Sequence, residues 1–248
     1  MGKKGYELYF DGIDAIQKKI RETQGENIEK AADIVAESLI NDGVLHAYGA
    51  GHSACISEEI FFRAGTVAGI NQIVDLSLAG AVGAWKSAFM ERLEGTGEIL
   101  YKHSHAKPQD IFLVISNSGR NAAPIELARE AQKNGHKVIV ETCVEFSLGQ
   151  SSRHSSGKRL LDYADVILDN KGVFGDTVVK MEGLELGLGP ASGVVGAYII
   201  HAMLVEVVFK MREKGVEKPP VFMHGNLDGG MKTNEALFEK YWYRIRNW

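Results

Sequence analysis

Two short segments concentrate small and polar side chains in a way that suits an anion: Gly49-Ala50-Gly51-His52-Ser53 and Ser116-Asn117-Ser118-Gly119-Arg120-Asn121. Ser116, Ser118 and Asn121 bring short hydroxyl and amide donors around Gly119, where the backbone can turn tightly and add its own N–H groups. That set suits one phosphate monoester; the same residues also suit a turn and a helix N-cap. The first segment opens like a dinucleotide fingerprint, but Ala54 stands where the third glycine belongs and the acidic residue expected further on, Asp75, comes slightly late. Proton-transfer chemistry has its own candidates. Glu58 and Glu59 lie one to two turns beyond Ser53, His201 offers an imidazole as a partner acid or base, and Glu94 closes the run Glu91-Arg92-Leu93-Glu94. Each carboxylate also reads as a solvated helix residue, and His201 as a core histidine.

The elements around these residues alternate. Val44 to Tyr48 is a short apolar run ending in the first glycine segment, followed by a helical stretch, Ala54 to Ala64. The unit recurs where Ile111 to Ile115 leads into the second segment and the helix Ala123 to Asn134, closed by Gly135. Further strands are predicted at Ile70 to Asp75, Val138 to Glu141 and Val166 to Asp169, with one long helix over Trp85 to Tyr101 and another over Gly193 to Met211. Two helices, Tyr6 to Ile20 and Ile28 to Ile40, precede the first strand. The pattern implies an α/β three-layer sandwich, a doubly wound, flavodoxin-like parallel sheet of five strands. Residues 1–42 are expected to form N-terminal helices, 43–215 the ligand-binding domain, and 216–248 a loop and tail helix.

Composition excludes several classes. The 248 residues are 45% hydrophobic and 24% charged, average for a globular chain, and a net charge of -4 without a basic block argues against nucleic acid as a partner. The two cysteines, Cys55 and Cys143, lack CxxC spacing, so neither a disulfide framework nor a structural zinc site is expected. The N-terminus lacks the apolar run of a secretory signal, and the apolar stretch from Gly193 to Phe209 falls short of the ~20 residues that cross a bilayer. A cytoplasmic protein with no membrane partner is expected. Glycine, 28 residues, exceeds the usual share of roughly 7% and directs attention to the loops.

The GAGHS and SNSGRN segments, each following a strand, resemble those of the SIS (sugar isomerase) domain family, over roughly Asp33 to Lys214. Gly189-Pro190-Ala191-Ser192, leading into the last apolar helix, resembles the family's Gly-Pro-Thr-Ser, with Ala191 in place of the threonine. Asn121 likewise stands where many members have Thr or Ser. The resemblance implies that Gly51, His52, Ser53, Ser116, Asn117, Ser118, Gly119, Asn121 and Ser192 hold the phosphate of a sugar phosphate. It implies no cofactor and no metal, and a homodimer or higher homo-oligomer.

Within that family the Glu58-Glu59 pair and the sequence Ile199-Ile200-His201 are similar to the catalytic elements of phosphoheptose isomerases, the glutamates falling about one turn earlier. The resemblance implies an aldose–ketose isomerase in which Glu59 moves the C2 proton and His201 relays it. The Leu78-Ala79-Gly80 turn followed by Glu94-Gly95 is similar to N-acetylmuramic acid 6-phosphate etherases, which would make Glu58 and Glu94 the pair; a binding module without catalysis is the third reading. Cys55, Glu59 and His201 could also meet around a metal. The tail aromatics Phe238, Trp242 and Tyr243 are expected either to pack on their own domain or to face a partner or seal the sugar pocket, the latter placing His224, Asn226 or Asp228 near the ligand.

Overall fold

In the computed structural model, which describes residues 2–248, five parallel strands form one sheet in the order β2-β1-β3-β4-β5. They are β1 (Leu45–Gly49), β2 (Ile70–Gln72), β3 (Ile111–Ile115), β4 (Val138–Thr142) and β5 (Val166–Asp169). Alternation along each strand divides the core in two. Leu45, Ala47, Leu113, Ile115, Ile139 and Leu168 face α1 (Gly5–Thr23), α2 (Gly25–Ile40) and α8 (Ser192–Glu213). Tyr48, Phe112, Val114, Val138 and Val140 face α5 (Thr96–Ser104) and α6 (Ala122–Lys133). The sheet is thus the middle layer of a three-layer sandwich, as the strand-helix alternation predicts.

Two predicted helices are shorter than their periodicity suggests. The stretch from Ala54 gives only α3 (Ser53–Glu59), because Phe62 (φ 46°) and Gly65 (φ 82°) turn the chain into left-handed backbone. The single helix expected over Trp85 to Tyr101 is two, α4 (Ala84–Met90) and α5, broken at Gly95 (φ 91°). The break is stabilised from outside: the buried Glu126 carboxylate accepts the N–H groups of Gly95 (2.7 Å) and Gly97 (2.9 Å), capping α5 from a neighbouring helix. A five-residue helix, α7 (Val144–Leu148), and an antiparallel pair, β6 (Thr177–Val179) with β7 (Leu188–Pro190), lie in segments for which the sequence predicts no element.

The last core helix is longer than expected. By length and composition alone α8, at 22 residues, could cross a bilayer, yet Val195, Ile199, Met203 and Val207 are buried against α2 and the sheet. The tail helix α9 (Gly230–Tyr241) packs on its own domain: Tyr241, Ile245 and Phe222 enclose a small core with Val44 and Ala68, while Trp242 and Tyr243 face solvent. Arg244 anchors this end by pairing with Asp110 (2.5 Å) at the start of β3. Burial alone would raise the Asp110 carboxyl, but hydrogen bonds from His46, the Lys107 N–H and Arg244 outweigh it and bring the pKa down to about 2.

Candidate functional site

The two polar loops meet beyond the carboxyl ends of β1 and β3, central in the sheet, where doubly wound folds bind ligands. Tight backbone makes the meeting possible. Gly49 passes so close to the Ser53 carbonyl that a Cβ would overlap it, and Gly51 (φ 56°) and Gly119 (φ 57°) occupy left-handed conformations. The second loop is braced from below: the Asn117 carbonyl accepts the Cys143 N–H (3.1 Å), its side-chain oxygen accepts the Asn170 amide (3.1 Å), and Ser116 Oγ accepts the Gly119 N–H (3.2 Å).

Between the loops is a cavity of about 440 Å³ lined by Gly51, His52, Ser53, Ser116, Asn117, Ser118, Asn121 and Ser192, with Gly119 shaping the turn beneath. Every phosphate-binding residue expected from the sequence is therefore brought to one place. Ser192 carries a qualification: its Oγ donates to Asp176 (2.8 Å) and its N–H reaches the same carboxylate (2.8 Å), so a built-in anion occupies the start of α8.

The cavity also contains residues that the sequence reading passed over. Arg120, Arg153 and Glu91 line it, and Arg153 donates to Asn121 Oδ1 (2.9 Å). Burial, then the like charges of Arg120 and Arg92, lowers the Arg153 pKa, which marks a crowded cationic wall suited to an anion. Burial raises the Glu91 carboxyl, against the opposing pull of the Asn121 amide and the charges of Arg92 and Arg153. A carboxyl displaced toward neutrality beside an anion site can exchange protons with a bound ligand.

The expected catalytic residues lie elsewhere. Glu59 and His201 do come together, with Nε2 3.5 Å from Oε1, and Arg63 also pairs with Glu59 (2.9 Å). Glu58 and Glu59 line a separate cleft with Cys55 and Phe62, at the far end of α3 and ~9 Å along the helix axis from Ser53. Glu94 is outside the cavity; Ser155 donates to it through its N–H (2.6 Å) and hydroxyl (2.7 Å), and those bonds hold its carboxyl below the usual range. His224 and Asn226 line a further cleft with Arg63 and Met231 rather than the loop cavity.

Below the cavity, at the end of β4, Glu141 is buried with Asn170 Nδ2 donating to it (2.8 Å). Burial pushes its carboxyl up to about 7; the Asn170 hydrogen bond opposes this, while Asp169 and Asp176 add to it. Because Asn170 bonds both Glu141 and Asn117, it joins a titratable group to the floor of the cavity.

Residues 8–142 match the family described as SIS domain. A UPF0309 protein of Thermoanaerobacter pseudethanolicus is 39% identical over 243 residues, spanning 96% of this chain and 98% of that protein. A UPF0309 protein of Listeria monocytogenes is 40% identical over 237 residues, spanning 96% and 97%. Among solved structures, phosphoheptose isomerase from Neisseria gonorrhoeae aligns with a TM-score of 0.55 at 18% identity, covering 82% of this chain and 97% of that one. The phosphoheptose isomerase from Francisella tularensis gives 0.53 at 17% identity, covering 82% and 95%. At those identities the likeness is one of fold.

Proposed function

Because the chain belongs to the SIS domain family, we propose that its loop cavity binds a sugar phosphate and that the protein interconverts an aldose and a ketose phosphate. The observation that carries this reading is the convergence of Ser53, Ser116, Ser118 and Asn121 with Arg120, Arg153 and the displaced carboxyl of Glu91 in one cavity. The hydroxyl and amide donors take the phosphate, and the cationic wall balances its charge. The sugar then extends along the cavity in its open-chain form.

In the reaction a carboxylate removes the proton from C2, the C2–H electron pair forms the C1=C2 bond, and the C1 carbonyl oxygen becomes the enediolate oxygen. Returning the proton to C1 while the C2 hydroxyl proton passes to the C1 oxygen gives the ketose, with a carbonyl at C2 and a hydroxyl at C1. Two groups are candidates for this work. Glu91 lines the cavity, and Glu59, paired with His201, lies ~9 Å further along α3 in a neighbouring cleft. We assign the C2 proton to Glu91 and keep Glu59 with His201, in the neighbouring cleft, as the alternative acid–base pair. The pairing of Glu58 with Glu94 for lactate elimination finds less support, since neither lines the cavity.

The test is a thermal-shift screen of sugar phosphates followed by solvent-deuterium exchange at C2 for each binder. Glu91→Gln should retain binding and lower exchange by ~10²-fold or more, as removal of a general base does. If Glu59→Gln shows that behaviour and Glu91→Gln does not, the C2 base is Glu59. Binding without exchange for every sugar phosphate would make the protein a sensor, and absence of binding would refute the reading altogether.

A further inference from the structure

Glu94, Glu126 and His154 come from three separated segments: the corner between α4 and α5, the middle of α6, and the irregular stretch after α7. One ligating atom of each lies within 4.8 Å of the others. His154 Nε2 is 3.4 Å from Glu126 Oε1, with the two side chains only 4% and 3% exposed. Despite that proximity Nε2 has no hydrogen-bond partner. A desolvated ring nitrogen aimed at two carboxylates, without a bond to either, is costly unless a cation lies between them.

We propose that these three side chains bind a divalent transition-metal cation of the zinc or manganese type. An ion held by bonds of ~2.1 Å at tetrahedral angles separates its ligand atoms by roughly 3.4 Å, which is the spacing between Nε2 and Oε1. The supporting bonds also fit. Glu126 is oriented by the N–H groups of Gly95 and Gly97, and Glu94 by the N–H and hydroxyl of Ser155. His154 Nδ1 meets Ser156 twice, through its Oγ (2.7 Å) and its N–H (3.1 Å); metal binding at Nε2 requires the tautomer in which Nδ1–H donates to that Oγ. Two carboxylates and an imidazole, without a thiolate, favour zinc or manganese over the softer ions.

The site would act on its surroundings. Glu91 is three residues from Glu94 and Arg153 adjoins His154, and both line the loop cavity. A bound ion would therefore clamp two walls of that cavity together, whatever ligand the cavity takes.

The experiment uses the full chain, stripped with a chelator and titrated calorimetrically with Zn²⁺ and Mn²⁺, with bound metal counted by elemental analysis. One ion per chain is expected, together with a rise in thermal midpoint. Glu94→Gln and His154→Gln should each weaken binding by about tenfold or more. Glu94 is exposed, so its variant reports even if His154→Gln fails to fold. Cys55→Ser should leave the affinity unchanged, and the Co²⁺ form should lack a thiolate charge-transfer band. No stoichiometric binding of either ion, or binding untouched by Glu94→Gln, would overturn the proposal.

Discussion

Replacing Glu141 by glutamine should remove most of the protein's loss of stability between weakly acidic and weakly alkaline pH. In the folded chain burial raises this carboxyl from its ordinary 4.5 to about 7, so the native state holds the proton more tightly than the unfolded state does. The contribution is therefore fully present below pH 4.5 and is lost as the pH rises through about 7. At about 1.4 kcal/mol per pH unit, the displacement amounts to about 3 kcal/mol, a large share of a typical domain's stability. Glutamine can still accept the Asn170 amide but cannot ionise. Urea unfolding of both proteins from about pH 5 to about pH 8 measures the difference directly, because other titrating groups cancel between them. The stability of the wild type relative to Glu141→Gln should fall by about 2.5 kcal/mol across that range. Parallel pH profiles would refute the reasoning and would mean that Glu141 titrates as it does in the unfolded chain.

Ser118→Ala should weaken sugar-phosphate binding by about 1 to 3 kcal/mol through loss of a hydrogen bond to a charged group, measured by calorimetry; unchanged affinity would remove Ser118 from the phosphate site. Arg244→Met should cost about 3 kcal/mol in denaturant unfolding, the low end for breaking a buried pair, because His46 and the Val44 and Lys107 N–H groups still reach Asp110. The same variant bears on acid stability. With a depressed pKa, Asp110 stabilises the fold above its ordinary 3.8 and ceases to do so as the pH falls through about 2, so without Arg244 the acid transition should begin at higher pH.

The strands were legible because a doubly covered parallel sheet requires unbroken apolar runs, and Ile111–Ile115 follows that requirement residue for residue. The loops were legible for a related reason: glycine, serine and asparagine between an apolar run and a helix have few other uses. Proton-transfer residues were harder to choose. Glu91 and Glu94 lie three apart, which on one continuous helix would put them on the same face; α4 ends at Met90 and α5 starts after Gly95, and the turn between them sends Glu94 to Ser155 while Glu91 lines the cavity. The cause of the break, Glu126, is 31 residues away from Gly95, beyond the reach of local periodicity. Arg153 was hidden for the same kind of reason, since its segment has no repeat and gains its position by bonding Asn121 across 32 residues. The β6 and β7 strands are three residues each and carry too little alternation to be distinguished from loop.

The end of the chain has a role that bears on how the protein is made. Strand β2 is the sheet edge, and the last residues cover it: the Arg246 N–H reaches Asn71 Oδ1 (2.9 Å) and the Asn247 amide reaches the Gln72 carbonyl (2.7 Å). During synthesis β1 through β5 and both polar loops are complete long before these residues leave the ribosome. The nascent domain therefore passes through a stage in which its edge carbonyls are unpaired and open to another chain. Peptides appended at the carboxyl terminus would leave this closure intact only if Trp248 can still pack on Phe238 and Tyr241. A chain truncated before Arg246 would have its sheet built but β2 uncovered at Asn71 and Gln72, and its expected fate is association with its own kind rather than failure to fold.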